Sequence, residues 1–320
     1  MSNRPLVLVG IDSAASAGRT LDAAVSRARE LGADVHAIRV GAVRPGRLDD
    51  RTRPPVVPAG DVSGLDRTAR ATSTSGTTEH DGVRVRHVTL RGEPDRVIPA
   101  YAQFHQATLL VVERDFGSSP FWRHGRVVDE LARRSPVPML VLPRQGHDTG
   151  APRRILAPVD FSIASAVALR TAVDLSRRHD ARVTVLHALR DVPQQMVFSG
   201  SEAWEVTRQL PAQAEAIAGR LRRKAAYFGA PEVETEVATG AAGDAIVETA
   251  ARREADLVVM GVTDRSWLDR ALFGSTLRRV LRRTTAPVLV VPVVAGAHVW
   301  PDEPSVGRSS RPAWPDAAAA

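Results

Sequence analysis

The sequence predicts an α/β chain built as two tandem, doubly wound, five-stranded parallel sheets with flanking helices. Three observations carry this. First, the chain repeats itself. Leu8-Val9-Gly10-Ile11-Asp12 corresponds to Leu156-Ala157-Pro158-Val159-Asp160 at an offset of 148, which also carries Val35 onto Val183, Gly92 onto Gly240 and Leu109-Leu110-Val111 onto Leu257-Val258-Val259. By Pro143 and Pro292 the offset is 149, so the first copy has lost one residue in between. Second, strand-like and helix-like hydrophobic periods alternate within each copy, the pattern of right-handed βαβ units. Third, the strands read apolar on both faces, as a buried parallel sheet requires. A chain of 320 residues suits two domains at about 100–200 residues each. The expected organisation is a first module over 1–145, a second over 150–294 and a tail over 295–320.

In the second module Arg154 to Val159 is a continuous apolar strand, and Ser162 is placed to cap the helix that follows. Val183 to Leu189 is the next strand. A long helix then carries Val206, Leu210, Ala214, Ile217, Leu221, Ala225 and Phe228 at spacings of three and four. Strand Val233 to Ala238, helix Ala241 to Arg253, strand Leu257 to Gly261, helix Trp267 to Arg283 and strand Val288 to Pro292 complete the module. The first module departs where its long helix should be. Pro54, Pro55 and Pro58 stop helix extension, and Thr72-Ser73-Thr74-Ser75-Gly76-Thr77-Thr78 has no apolar face. The expectation is a short helix near Val62 to Ala71 within a mobile loop spanning 41–82. The tail, with Pro301, Pro304, Pro312 and Pro315, reads as disordered.

Composition excludes several functions. There are no cysteines, so thiol nucleophiles, disulfides and Cys-based metal sites are out. No stretch reaches the roughly 18 apolar residues of a membrane span, and the N-terminus lacks signal-peptide character; the chain is expected in the cytoplasm with no membrane partner. The net charge is +7, nearly all from Arg, since Lys224 is the sole lysine. These arginines fall as scattered pairs late in predicted helices, where cations suit the dipole and face water. Aromatics make up 4%, too few for a base-stacking surface, so nucleic acid is not the expected partner.

In an open parallel sheet, ligands bind beyond the carboxyl ends of the strands. The informative residues are therefore Pro158 and Asp160, then His187-Ala188-Leu189, then Met260-Gly261 with Asp264, and Gly274-Ser275-Thr276 at a helix start. Glycines there let backbone N–H groups approach phosphate oxygens, and hydroxyls add donors. Asp160 can accept from a ribose hydroxyl or a base amine. The same residues also suit a plain strand–turn–helix joint, and spacing alone does not separate the two readings. His36 and His187 read as strand residues rather than catalysts. Gly240-Ala241-Ala242 reads as a helix start rather than a site. There is no Gly-x-x-x-x-Gly-Lys-Ser/Thr loop, no nucleophile elbow and no His-x-x-x-His metal pair; no catalytic residue or metal ligand is assigned.

The second module resembles a universal stress protein domain over essentially its whole length. That family's signature is Gly, two residues, Gly, nine residues, Gly, then Ser or Thr. Here Gly261, Val262-Thr263, Asp264, nine residues and Gly274-Ser275 match three of the four positions. The resemblance implies that Asp160 and the backbone at Ala188 hold adenine and ribose, while Gly261, Gly274, Ser275 and Thr276 surround the phosphates of ATP. It also implies pairing of the modules through their last strands, as an internal pseudo-dimer, and self-association as a homodimer. Asp264 replaces the middle glycine. A carboxylate at ~4 Å from a phosphate costs on the order of 4 kcal/mol at an effective dielectric near 20; a bridging Mg²⁺ reverses that sign. The first module reads Glu113-Arg114-Asp115-Phe116, losing both leading glycines, and is expected to bind no nucleotide. The implied function is a non-enzymatic, adenine-nucleotide-responsive stress regulator acting on a protein partner. The alternative is a nucleotide-independent scaffold of the same fold, and a weak ATPase is the remaining option.

Overall fold

Eleven strands form one continuous sheet in the order β3-β4-β2-β1-β5-β6-β11-β10-β7-β8-β9. The computed structural model describes residues 4–12, 14–41, 73–117, 127–144, 150–189, 200–230, 232–263 and 273–293. The first half supplies β1 (Leu6–Gly10), α1 (Ala14–Leu31), β2 (Asp34–Gly41), β3 (Ser73–His80), β4 (Val83–Arg91), α2 (Pro94–Phe104), β5 (Leu109–Glu113), α3 (Val127–Arg134) and β6 (Met139–Leu142). The second supplies β7 (Arg154–Pro158), α4 (Ile163–His179), β8 (Arg182–Leu189), α5 (Gly200–Tyr227), β9 (Glu234–Thr239), α6 (Ala242–Arg252), β10 (Leu257–Val262), α7 (Phe273–Arg283) and β11 (Val288–Pro292).

Within each half the five repeated strands pair in parallel, as the apolar runs predict. The halves join by one antiparallel pairing, β6 on β11, with Leu140 opposite Leu289. This is the pseudo-dimer of last strands. Two hydrophobic clusters run through both halves, one on each face of the sheet. One holds Ile98, Leu131, Met139, Ile246 and Val280, under α2, α3, α6 and α7. The other holds Ala28, Leu169, Val173, Leu221 and Leu289, under α1, α4 and α5. The junction strands contribute to both clusters, so no gap in the core separates the modules. Ser162 caps α4 as predicted, its hydroxyl accepting from the Ser165 N–H at 3.2 Å.

One element corrects the sequence reading. The Ser/Thr run expected as loop forms β3, an antiparallel edge strand on β4 with a bulge between Thr74 and Gly76. An edge strand exposed over Gly76 to Glu79 needs no apolar face. Its turn is Asp81-Gly82, both at positive φ (49° and 76°), the two-residue geometry that suits a twisted hairpin. Among the described residues the first half has six strands and the second five. The expected helix near Val62 to Ala71, the start of the last helix at Trp267 and the tail lie outside the described residues, as does Asp264. No helix among the described residues is long and apolar enough to cross a membrane.

Candidate functional site

A cavity of about 540 Å³ opens beyond the carboxyl ends of β7, β8 and β10. That is where a doubly wound sheet offers a crevice, and the volume lies within the usual range for small-molecule sites. Six of the eight predicted residues line it: Pro158, Asp160, Ala188, Gly261, Ser275 and Thr276. Gly274 lies in the first turn of α7.

Each wall follows from a local feature of the chain. Asp160 stands just past β7, where its Oδ1 accepts the Ser162 N–H at 3.0 Å and so turns the chain into α4. Leu186, Ile246, Met260 and Leu277 form an apolar wall. Ser275 and Thr276 lie in the first turn of α7, where backbone N–H groups lack helical partners and the dipole is positive. Gly261 sits where β10 crosses the start of α4. A Cβ there would lie 1.8 Å from the Ala164 carbonyl oxygen, so packing alone demands glycine at this position.

The structure adds contributors that sequence reasoning set aside. Gly240, Ala241, Ala242 and Gly243 line the cavity at the start of α6, which has no side-chain cap. The helix start expected here is present, and the segment also borders the cavity. Arg279 brings a cation to the lining, its Nη1 2.8 Å from Asp244 Oδ2. His187 also borders the cavity. Its Nδ1 donates to the Val159 carbonyl at 2.6 Å, satisfying an acceptor just past the end of β7, and its ring packs 5.0 Å from that of Phe161. Among the described residues no cluster of three His, Asp or Glu has metal-binding geometry.

At the corresponding end of the first half the matching residues contact the chain itself. Phe116, at the repeat position of Asp264, is buried. Its ring presses on the end of β1, so that a Cβ at Gly10 would stand 2.9 Å from Cε2. Asp12, the counterpart of Asp160, accepts the Gly117 N–H at 2.8 Å. Glu113, the counterpart of Gly261, is buried and paired with Arg19 at 2.7 Å.

A doubly wound α/β protein with a ligand-sized crevice at the switch point of its second half is thus defined. The sequence profile of the universal stress protein family matches residues 5–143 and 152–292; the chain belongs to that family. A universal stress protein of Methanocaldococcus jannaschii is 32% identical over 139 residues, spanning 43% of this chain and 81% of that protein. One from Bacillus subtilis is 27% identical over 151 residues, 43% of this chain and 97% of its own length. The crystal structure of a universal stress protein from Archaeoglobus fulgidus superposes with a TM-score of 0.58 at 14% identity, covering 91% of this chain and 97% of that one. A functionally unknown protein of Pseudomonas aeruginosa superposes with a TM-score of 0.58 at 19% identity, covering 90% and 92%. These structural likenesses establish the fold.

Proposed function

We propose that the chain is a non-enzymatic stress-response regulator whose second half binds an adenine nucleotide, ATP, while its first half binds none. The observation that carries this reading is the convergence of Pro158, Asp160, Ala188, Gly261, Ser275 and Thr276 on one 540 Å³ cavity. The chemistry of its walls is graded in the way a nucleotide needs. Leu186, Ile246 and Met260 suit a flat base, the Asp160 carboxylate suits ribose hydroxyls, and the first turn of α7 suits phosphate oxygens. ATP contacts through Gly274 and Asp264 belong to the same reading, with Mg²⁺ deciding whether the Asp264 carboxylate repels the phosphates or joins their coordination. Isothermal titration with ATP, with and without Mg²⁺, tests it. One site per chain is expected; no heat at millimolar nucleotide overturns it, and steady phosphate release would replace regulator by ATPase.

A second reading, a nucleotide-independent scaffold, draws on Gly261, whose identity β10–α4 packing explains without any ligand. A melting temperature unmoved by ATP favours it. In either case a homodimer must use a surface other than the last strands. β6 is flanked by β5 and β11, and β11 by β6 and β10, so neither has an edge left.

A further inference from the structure

Because β6 and β11 run antiparallel, the end of the sheet where β5 finishes is also the end where α7 finishes. Arg114, the first residue after β5, extends the first half's ladder by donating its backbone N–H to the Leu142 carbonyl at 2.9 Å. Its guanidinium then crosses the junction. Nη1 donates to the Arg282 carbonyl at 3.2 Å and Nη2 to the Thr284 carbonyl. These acceptors close the last turn of α7, where helical carbonyls lack partners of their own and a cation opposes the negative end of the dipole. Val262 holds the repeat-equivalent position and has no donor to return, so the clamp runs one way, from the first half to the second.

The helix clamped at its C-terminus is the one whose first turn carries Ser275 and Thr276 into the cavity. Its 11 residues span about 16 Å, and a helix moves along its axis nearly as a rigid rod. We propose that Arg114 is a positioning residue for the second half's pocket: by fixing the tail of α7 it sets where the phosphate-facing first turn stands. The half that has filled its own site thereby holds the other half's site in register. The identity of the ligand rests on the nucleotide reading above; the clamp does not.

The test uses the full chain with Arg114→Met, which keeps length and removes the donors, and Arg114→Lys, which keeps a cation. Amide exchange is followed in α7, with α3 as the internal control, and ATP and adenosine are titrated in parallel. Losing two cross-junction hydrogen bonds should speed α7 exchange and weaken ATP by roughly tenfold in Arg114→Met. Exchange in α3 and adenosine affinity should stay within about twofold of wild type, and Arg114→Lys should recover part of the loss. Unchanged α7 exchange overturns the proposal, as does an equal fall in ATP and adenosine affinity, which marks general loosening. If wild-type protein binds neither ligand, the nucleotide reading fails, and α7 exchange alone decides whether the clamp exists. Should Arg114→Met not fold, the Arg114→Lys series supplies the same comparison.

Discussion

The two halves share one register and opposite strand ends. In the second half the carboxylate after the first strand serves its own local turn, Asp160 accepting the Ser162 N–H. In the first half the matching carboxylate is spent across the sheet, Asp12 on the Gly117 N–H. The second half keeps glycine at 261, where the first has a buried Glu113 ion pair, and Phe116 covers the end of β1. The sheet, its helices and both cores survive these exchanges. The lesson is that packing fixes the scaffold, while a few residues past the strand ends decide whether the crevice stays open or is filled by the chain itself.

The largest test of that comparison is the plug. Phe116 is 4% exposed, and buried Phe→Ala changes cost about 3–5 kcal/mol through lost burial and the cavity left behind. Phe116→Ala should lower the urea-unfolding free energy by about that much and, on the proposed function, still leave the nucleotide stoichiometry at one, because the Glu113–Arg19 ion pair stays at the position matching Gly261. A second bound nucleotide would show that Phe116 alone closed the first site. Next in size is Gly261→Ala. A methyl group cannot occupy a point 1.8 Å from the Ala164 carbonyl oxygen, so β10 and α4 must separate. A loss of about 3 kcal/mol, the upper end of overpacking costs, should appear in thermal or urea unfolding, along with lost ATP binding.

The two aspartates sharpen the comparison further. Asp12→Ala leaves the Gly117 N–H without its acceptor and should cost about 1–2 kcal/mol of stability with ATP affinity unchanged. Asp160→Ala should do the reverse, weakening ATP by roughly tenfold, about 1.4 kcal/mol, while moving stability by under about 0.5 kcal/mol, because the Ser162 it releases is only half-buried whereas Gly117 is buried. Equal behaviour of the two would mean that the halves differ less than their contacts indicate.

What the sequence made legible, and what it hid, follows from the kind of interaction involved. The repeat and the parallel strands were readable because burial on both faces leaves long apolar runs such as Leu6–Gly10 and Val288–Pro292. The Ser162 cap was readable because its chemistry is local. β3 was not, since an exposed polar edge strand carries no hydrophobic alternation; the signal that finds it is Asp81-Gly82, and the Ser/Thr run drew attention away from it. Six pocket residues were readable from their places at the carboxyl ends of strands and at a helix start. Ala241 and Ala242 carry no such mark, because a methyl side chain at a helix start has no chemistry that singles it out. Arg114 was invisible for a related reason. Its partners are the carbonyls of Arg282 and Thr284, 168 and 170 residues away, and every residue has a carbonyl.

The smallest effect at neutral pH concerns a histidine present in the first half alone. His36 on β2 corresponds to Thr184 on β8. Its Nδ1 lies 2.9 Å from the Tyr101 hydroxyl, and its ring packs edge-on to His105. Burial, then the neighbouring charges of His105 and Arg86, lower its pKa from the usual 6.5 to about 4, against a weaker opposing pull from Asp34. The unfolded chain therefore takes up this proton at a higher pH than the folded one. The stability contribution is whole above about pH 6.5 and is lost as pH falls from there toward about 4. Urea midpoints measured from pH 7.5 to 4 should fall along that limb in wild type and fall less steeply in His36→Gln, whose amide can still pair with Tyr101. His105, also held low by burial and by Arg86, leaves a residual slope. Coincident profiles for the two proteins would place the acid sensitivity outside this cluster.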